Sequence, residues 1–178
     1  IPPLLFLFSI FKILPDKLQY NLFVNMGHWS FLIFTFIVFI KPLSKLFKKV
    51  KFFKKSLTYR KELGILIFWL GIFHSIFLFF NLKMNLLPLN NLTSLTLHIS
   101  WGILAFILIF FLGITSNNFS LKKLKKDWKK VQYLTYFAYA FVCIHKALVS
   151  NKIHGYIFLG VYIILRIATS KHFRKFFN

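Results

Sequence analysis

Two histidines that interrupt long apolar stretches are the residues of this sequence best suited to chemistry. His74 lies within residues 63–82, thirteen residues after a basic run, and His145 lies within residues 131–150, fifteen residues after another. Along an α-helix these separations correspond to depths of about 20 and 22 Å. Neutral imidazole is a good ligand of haem iron. Two histidines at matched depth on parallel helices therefore predict a planar metallocycle held edge-on between the helices, with one imidazole on each face.

A structural role for each histidine remains the alternative, because a membrane imidazole also bonds a carbonyl or a serine on a neighbouring helix. Other metals fit this pair poorly, since no Asp, Glu or Cys stands near it in sequence. Three further histidines fall at span ends on the predicted outer side, where they suit an interfacial role, a metal or a partner: His28, His98 and His154.

The composition of the chain excludes most classes of soluble protein. Of its 178 residues 58% are hydrophobic and 26 are Phe, while the formal net charge is +21. An ordinary soluble domain is less apolar than this, and a disordered basic segment would lack the phenylalanines. A nucleic-acid binder can carry such a charge but has no use for long apolar runs, so we expect no nucleic-acid partner. The single cysteine, Cys143, excludes a disulfide framework.

The apolar stretches predict an all-α, polytopic membrane helical bundle of about six transmembrane helices. About 20 mostly apolar residues are needed to cross a bilayer. Five stretches come close to this length, and a sixth at residues 1–14 is interpreted as the remainder of a truncated first helix. The five run over residues 27–47, 63–82, 95–115, 131–150 and 153–170.

The basic residues predict the orientation of these spans in the lipid bilayer. Nine Lys or Arg fall within residues 41–61, six within residues 122–130 and four from Arg166 onward, whereas the alternate connections are nearly free of charge. Because basic loops stay in the cytoplasm, these three segments lie on the cytoplasmic side. Both termini are then cytoplasmic.

A series of motifs in order along residues 20–170 resembles the YedZ/MsrQ family, which belongs to the ferric-reductase-like transmembrane superfamily. The segment RKELG at residues 60–64, followed ten residues later by His74, resembles the R-R-x-L-G…H element of that family. The other matches are Gly27 with Pro42 (G…TP, Lys41 replacing Thr), Gly102 with Thr115 and Ser116 (G…TS), WKKVQ at residues 128–132 (W-x-x-L-H), and His145 thirteen residues later.

The resemblance implies a haem-binding electron-transfer subunit of an oxidoreductase system rather than a complete enzyme. His74 and His145 would be the axial ligands of a haem b, and Arg60 would meet a haem propionate or a flavin phosphate at the cytoplasmic face. FMN is associated with the family. Electrons from a cytoplasmic flavin reductase or from quinol would pass to a periplasmic molybdenum-containing methionine sulfoxide reductase. The chain would form a single domain, residues 1–178, in the bacterial inner membrane.

One departure from the family pattern affects the expected number of haems. Gln132 stands where the family has a further His, a candidate ligand on the cytoplasmic side. Because glutamine is a poor haem ligand, we expect one haem. The absence of a dinucleotide fingerprint implies that partners supply and accept the electrons. Two alternatives remain: a ferric-reductase-like cytochrome b with another acceptor, and a cofactor-free transporter or assembly protein, disfavoured because no internal repeat and no mid-span acid is evident.

Overall fold

The backbone of this protein is helical almost throughout, as its apolar stretches predict. The computed structural model describes residues 16–84, 92–150 and 153–170, and no strand occurs within them. The predicted all-α membrane bundle is therefore confirmed as a fold class. The described helices are α1 (Asp16–Leu46), α2 (Lys51–Ser56), a 3-10 turn (Leu57–Tyr59), α3 (Arg60–Met84), α4 (Leu92–Thr115), α5 (Asn118–Gln132), α6 (Leu134–Ser150) and α7 (His154–Ala168).

Two stretches of described helix satisfy the length and hydropathy expected of a membrane span. These are Tyr20–Leu46 in α1 and Leu97–Thr115 in α4, and α6 and α7 contribute the shorter apolar stretches Leu134–Val149 and His154–Ala168. Helix α3 is 25 residues long, which is enough to cross a bilayer at about 1.5 Å per residue. The predicted span at residues 1–14 lies outside the described residues.

The basic connection between α4 and α6 is helical, with a kink at Lys125, whose φ is 47°. The six basic residues between positions 122 and 130 lie in α5. After the kink, Trp128 and Val131 stand three residues apart on one helical face, and both are half-buried. Leu124, directly before the kink, is half-buried as well. The Trp128 indole donates a hydrogen bond to the Thr115 carbonyl at 3.0 Å, and Asn117 caps the helix by accepting from the Ser120 N–H at 2.7 Å. Helix α5 is thus fixed to the end of α4.

The centre of the bundle is an aromatic cluster contributed by α1, α6 and α7. Tyr139 is fully buried, and its ring meets the rings of Phe34 and Tyr162 edge-on, each with centroids 5.5 Å apart. Edge-to-face pairs of this kind add to the stabilisation that burial gives. The Tyr139 hydroxyl donates to Thr35 Oγ1 at 3.3 Å, and Thr35 itself donates to the Phe31 carbonyl at 2.9 Å. This cluster fixes α6 against α1 and α7.

Removal of the Tyr139 hydroxyl tests the polar part of this cluster. Tyr139→Phe is expected to lower the free energy of unfolding by about 1 kcal/mol, because it deletes one hydrogen bond and leaves Thr35 bonded to backbone. Tyr139→Ala should cost about 3–5 kcal/mol, because it also empties the core. Denaturant titration in mixed micelles measures both changes. Tyr20→Phe, at an exposed position of α1, is the control, and equal losses for Tyr20→Phe and Tyr139→Phe would contradict the assignment.

Candidate haem-binding site

His74 is held by the neighbouring helix α1. The side chain is half-buried, and its Nδ1 lies 2.9 Å from the Phe23 carbonyl oxygen. A carbonyl can only accept, so Nδ1 carries the proton and donates it. In neutral imidazole the other ring nitrogen, Nε2, then has a free lone pair. Metal-ligating histidines commonly donate their other N–H to a carbonyl in this way.

His145 repeats this arrangement on the other pair of helices. Its Nδ1 lies 2.7 Å from the His98 carbonyl oxygen on α4, and its side chain is half-buried. The same reasoning places the proton on Nδ1 and leaves Nε2 unprotonated. Both histidines therefore have the tautomer and the outer-shell hydrogen bond that suit an axial ligand of haem iron, so the residues present fit that group.

A cavity on the side of the bundle opposite the two histidines shows how the helices run. Its volume is about 530 Å³, and it is lined by the C-terminal parts of α1 and α4, by the N-terminal parts of α3 and α6, and by α5. Helices α3 and α6 both lead away from this cavity and so run in the same direction. Arg60 precedes His74 by 14 residues and Gln132 precedes His145 by 13, so each histidine lies roughly 20 Å along the bundle from these two residues. The innermost lining residues, Ile67 and Tyr136, precede the histidines by 7 and 9 residues, or about 10 and 13 Å.

The cavity has apolar walls, a basic rim and one unsatisfied polar group. Gln132 Nε2 is buried and has no hydrogen-bond partner among the residues described. The walls are Phe34, Ile37, Ile67, Ile109 and Leu112, and the cationic side chains are Lys41, Arg60, Lys61 and Lys129. Such a cavity suits a flat ligand with a hydrogen-bond acceptor at its inner end and negative charge at its outer end.

The structure separates Arg60 from the two histidines. Arg60 is the first residue of α3 and lines the cavity together with Gln132. It lies roughly 20 Å along the helix from His74. Contact of Arg60 with a haem propionate or with a flavin phosphate stays a prediction.

The three outer histidines do not come together. His28 and His154 are exposed, whereas His98 is half-buried and its ring centroid lies 6.1 Å from that of His145. Within the part of the chain that the structure describes, no group of three His, Cys, Asp or Glu side chains could hold a metal ion. The position of His98 beside His145 is the feature that sequence reasoning missed. The sequence feature that could have indicated this position is Gly102, which stands one helical turn after His98. Gly27 stands in the same way one turn after Phe23.

Comparison with known proteins agrees with this arrangement. The sequence profile described as "Ferric reductase like transmembrane component" matches residues 26–143, which include His74 and the residues that line the cavity and end two residues before His145. The magnetosome protein MamZ of Magnetospirillum gryphiswaldense is 27% identical over 149 residues, covering 80% of this chain and 22% of MamZ. No solved structure matches the chain.

Two further relatives carry a functional name. The protein-methionine-sulfoxide reductase heme-binding subunits MsrQ of Brucella anthropi and Brucella ovis are each 30% identical over 90 residues, covering 50% of this chain and 41% of theirs. The chain thus spans less than half the length of these relatives. The resemblance to the YedZ/MsrQ family that its motifs indicated is confirmed. Because the profile covers most of the sequence, the chain belongs to the ferric-reductase-like transmembrane family.

Proposed function

We propose that this protein is a haem b electron-transfer subunit that relays electrons across the bacterial inner membrane as a multi-pass protein. The observation that carries the proposal is the pair His74 and His145, each within a helix of the bundle, roughly equidistant from the cavity and with Nδ1 committed to a carbonyl. The names of the MsrQ relatives support haem as the ligand. Haem, when bound, supplies the one-electron chemistry.

The protein's own residues hold and isolate that group. His74 and His145 would ligate the iron through Nε2, while the Phe23 and His98 carbonyls fix the orientation of the two rings. Tyr139 and Cys143, fully buried six and two residues before His145 on α6, contribute to a core that excludes water. Exclusion of water and a low local dielectric are the levers by which a protein sets a haem potential.

FMN is the proposed occupant of the cavity, as a second cofactor. Arg60 and Lys61 would contact its phosphate, the apolar walls would cover the ring, and the Gln132 amide would donate to a ring carbonyl. Gln132 would thus serve the cofactor next to the cytoplasm instead of ligating a second haem, and a single haem per chain follows.

The proposed route runs from a cytoplasmic donor to a periplasmic acceptor. The three basic segments and both termini are assigned to the cytoplasm. The positively charged inner face would therefore bind an acidic flavin reductase as the electron donor. Quinol is the alternative donor. The proposed acceptor is a methionine sulfoxide reductase, because the MsrQ relatives are named as heme-binding subunits of a protein-methionine-sulfoxide reductase. That the acceptor contains molybdenum and is periplasmic is implied by the family resemblance alone. Residues 1–178 would form one domain.

The reduced absorption spectrum of the purified protein tests the haem proposal. Protein expressed with haem available and reduced with dithionite should show a b-type α-band, and a pyridine haemochrome assay should give about one haem per chain. A colourless protein would contradict the proposal that the chain binds haem. Two haems per chain would contradict the role given to Gln132.

Reconstitution with candidate acceptors distinguishes the two haem-protein alternatives. Proteoliposomes that contain the protein, a reduced quinol pool and the periplasmic sulfoxide reductase should reduce methionine sulfoxide while the haem band oxidises. Haem oxidation by ferric chelates, with no response to the sulfoxide reductase, would favour the alternative of a ferric-reductase-like cytochrome.

A further inference from the structure

A glycine lies against the ring of each candidate haem ligand. A Cβ added to Gly27 would lie 2.7 Å from Cε1 and 2.8 Å from Nδ1 of His74. A Cβ added to Gly102 would lie 2.9 Å from the same two atoms of His145. Contacts this short do not occur between real side chains, so any larger residue at either position would displace the imidazole.

Each glycine stands four residues after the carbonyl that its histidine binds. Gly27 follows Phe23 and Gly102 follows His98 by one helical turn. In an α-helix the Cα–Cβ bond tilts toward the N-terminus, so a side chain at position i+4 covers the carbonyl of residue i. Glycine has no side chain to cover that carbonyl, so the oxygen can accept a second hydrogen bond, from the imidazole Nδ1–H, through its second lone pair. We call each open carbonyl with its glycine a notch: Phe23 with Gly27, and His98 with Gly102.

The two notches form a repeat that the sequence does not display. In each half of the bundle, a helix that carries the notch is followed by a cytoplasmic-side connection and then by the helix that carries the histidine. The glycine precedes the histidine by 47 residues in the first half and by 43 in the second. The same local geometry is thus built twice, which an incidental contact of one histidine with one carbonyl would not explain.

We infer that Gly27 and Gly102 are positioning residues that fix the tautomer and the orientation of the two axial ligands. This inference rests on the proposed function for the identity of the ligand, although the notches are a property of the protein itself. Each notch holds Nδ1–H against a carbonyl and keeps Nε2 unprotonated for the iron. Because both glycines lie against Nδ1 and Cε1 of their histidines, substitution of either glycine should affect its own histidine in the same direction.

The tautomer of the two histidines tests the inference without haem. The full chain, labelled with ¹⁵N-histidine, grown under haem limitation and placed in nanodiscs, should show two histidines in the Nδ1–H form by solid-state NMR. His74→Ala and His145→Ala assign the two signals. Gly27→Ala should remove the Nδ1–H signal of His74 alone, and Gly102→Ala that of His145 alone. Gly160→Ala is the matched control, because no described atom lies within 4 Å of its added Cβ.

Haem titration of the same proteins provides the second readout. Each notch variant should lose about 10–100-fold in haem affinity, the loss usual for an outer-shell partner of a metal ligand, while Gly160→Ala binds as the wild type does. Nε2–H signals in the wild type would overturn the inference, even if a notch variant failed to fold. So would notch variants that match Gly160→Ala in tautomer and affinity. A wild-type protein that binds no haem overturns the proposed function instead, and its NMR spectrum still decides the role of the notches.

Discussion

His74→Ala and His145→Ala are each expected to abolish stable haem binding. Each substitution removes one axial imidazole. The other histidine keeps its hydrogen bond, His74 to the Phe23 carbonyl or His145 to the His98 carbonyl. Loss of an outer-shell partner costs about 10–100-fold in metal affinity, so loss of the ligand itself should cost more than about 100-fold. The measurement is the pyridine haemochrome content of purified protein, with the α-band of the reduced spectrum as a second readout.

A matched histidine variant separates this effect from general damage. His154→Ala removes an exposed imidazole from α7, and it should retain the wild-type haem content. In thermal unfolding of the haem-free forms, His154→Ala should match the wild type. His74→Ala and His145→Ala should each lose about 1 kcal/mol, because each deletes one hydrogen bond to a neighbouring helix, and both should still fold. Retention of a full b-type spectrum by both His74→Ala and His145→Ala would refute axial ligation by this pair.

The depth of the two histidines could be predicted because it depends on little more than helix geometry. Once α3 and α6 are taken as helices that start from one side, the rise per residue fixes where His74 and His145 lie. The position of Gln132 at the other end follows from the same count. These features are local to one helix, so the sequence of that helix is sufficient.

The hydrogen-bond partners of the histidines could not be predicted, because they depend on which helices pack together. The contacts of His74 with Phe23 and Gly27 require α1 beside α3, and those of His145 with His98 and Gly102 require α4 beside α6. Apolar helices of similar length give no sequence pattern that selects these neighbours. The glycines were visible as motif positions, but their purpose became clear only from the packing.

The cavity and the kink in α5 were missed for a related reason. The cavity exists only where the ends of several helices meet, so no single segment predicts it. In α5, the high density of lysines suggested a solvated connection, although Trp128 and Val131, three residues apart, lie on a half-buried helical face. The lysines of α5 indicate the side of the membrane on which the segment lies, whereas the spacing of its apolar residues indicates that it is helical.

Arg60→Gln is expected to weaken FMN binding by about 10–150-fold while leaving the haem in place. The loss corresponds to the roughly 1.5–3 kcal/mol of a hydrogen bond to a charged group, here between the guanidinium and the proposed flavin phosphate. Gln132→Leu should cost less, about 2–10-fold, because it removes one bond between neutral groups. Both side chains line the cavity. Flavin fluorescence titration of the protein in nanodiscs measures these affinities.

The control for Arg60→Gln must lose the same charge without reaching the cavity. Lys122→Gln meets this requirement, since Lys122 is exposed on α5 and is not among the residues that line the cavity. Its effect on FMN affinity should be small and should vanish at high salt, because only screened long-range attraction is lost. Equal losses for the Arg60 and Lys122 variants would show that general positive charge, and not a built phosphate contact, attracts the flavin.

The two sets of variants together distinguish a two-cofactor protein from a single mixed site. Arg60 and the pair His74 and His145 are separated by roughly 20 Å along the bundle, so their effects should be independent. His74→Ala should lose haem and keep its FMN affinity, whereas Arg60→Gln should lose FMN and keep the reduced haem spectrum. The double variant should then show the two losses added without interaction, as expected of distant sites. Loss of both cofactors in either single variant would contradict the separation, and with it the assignment of the cavity to the electron entry route.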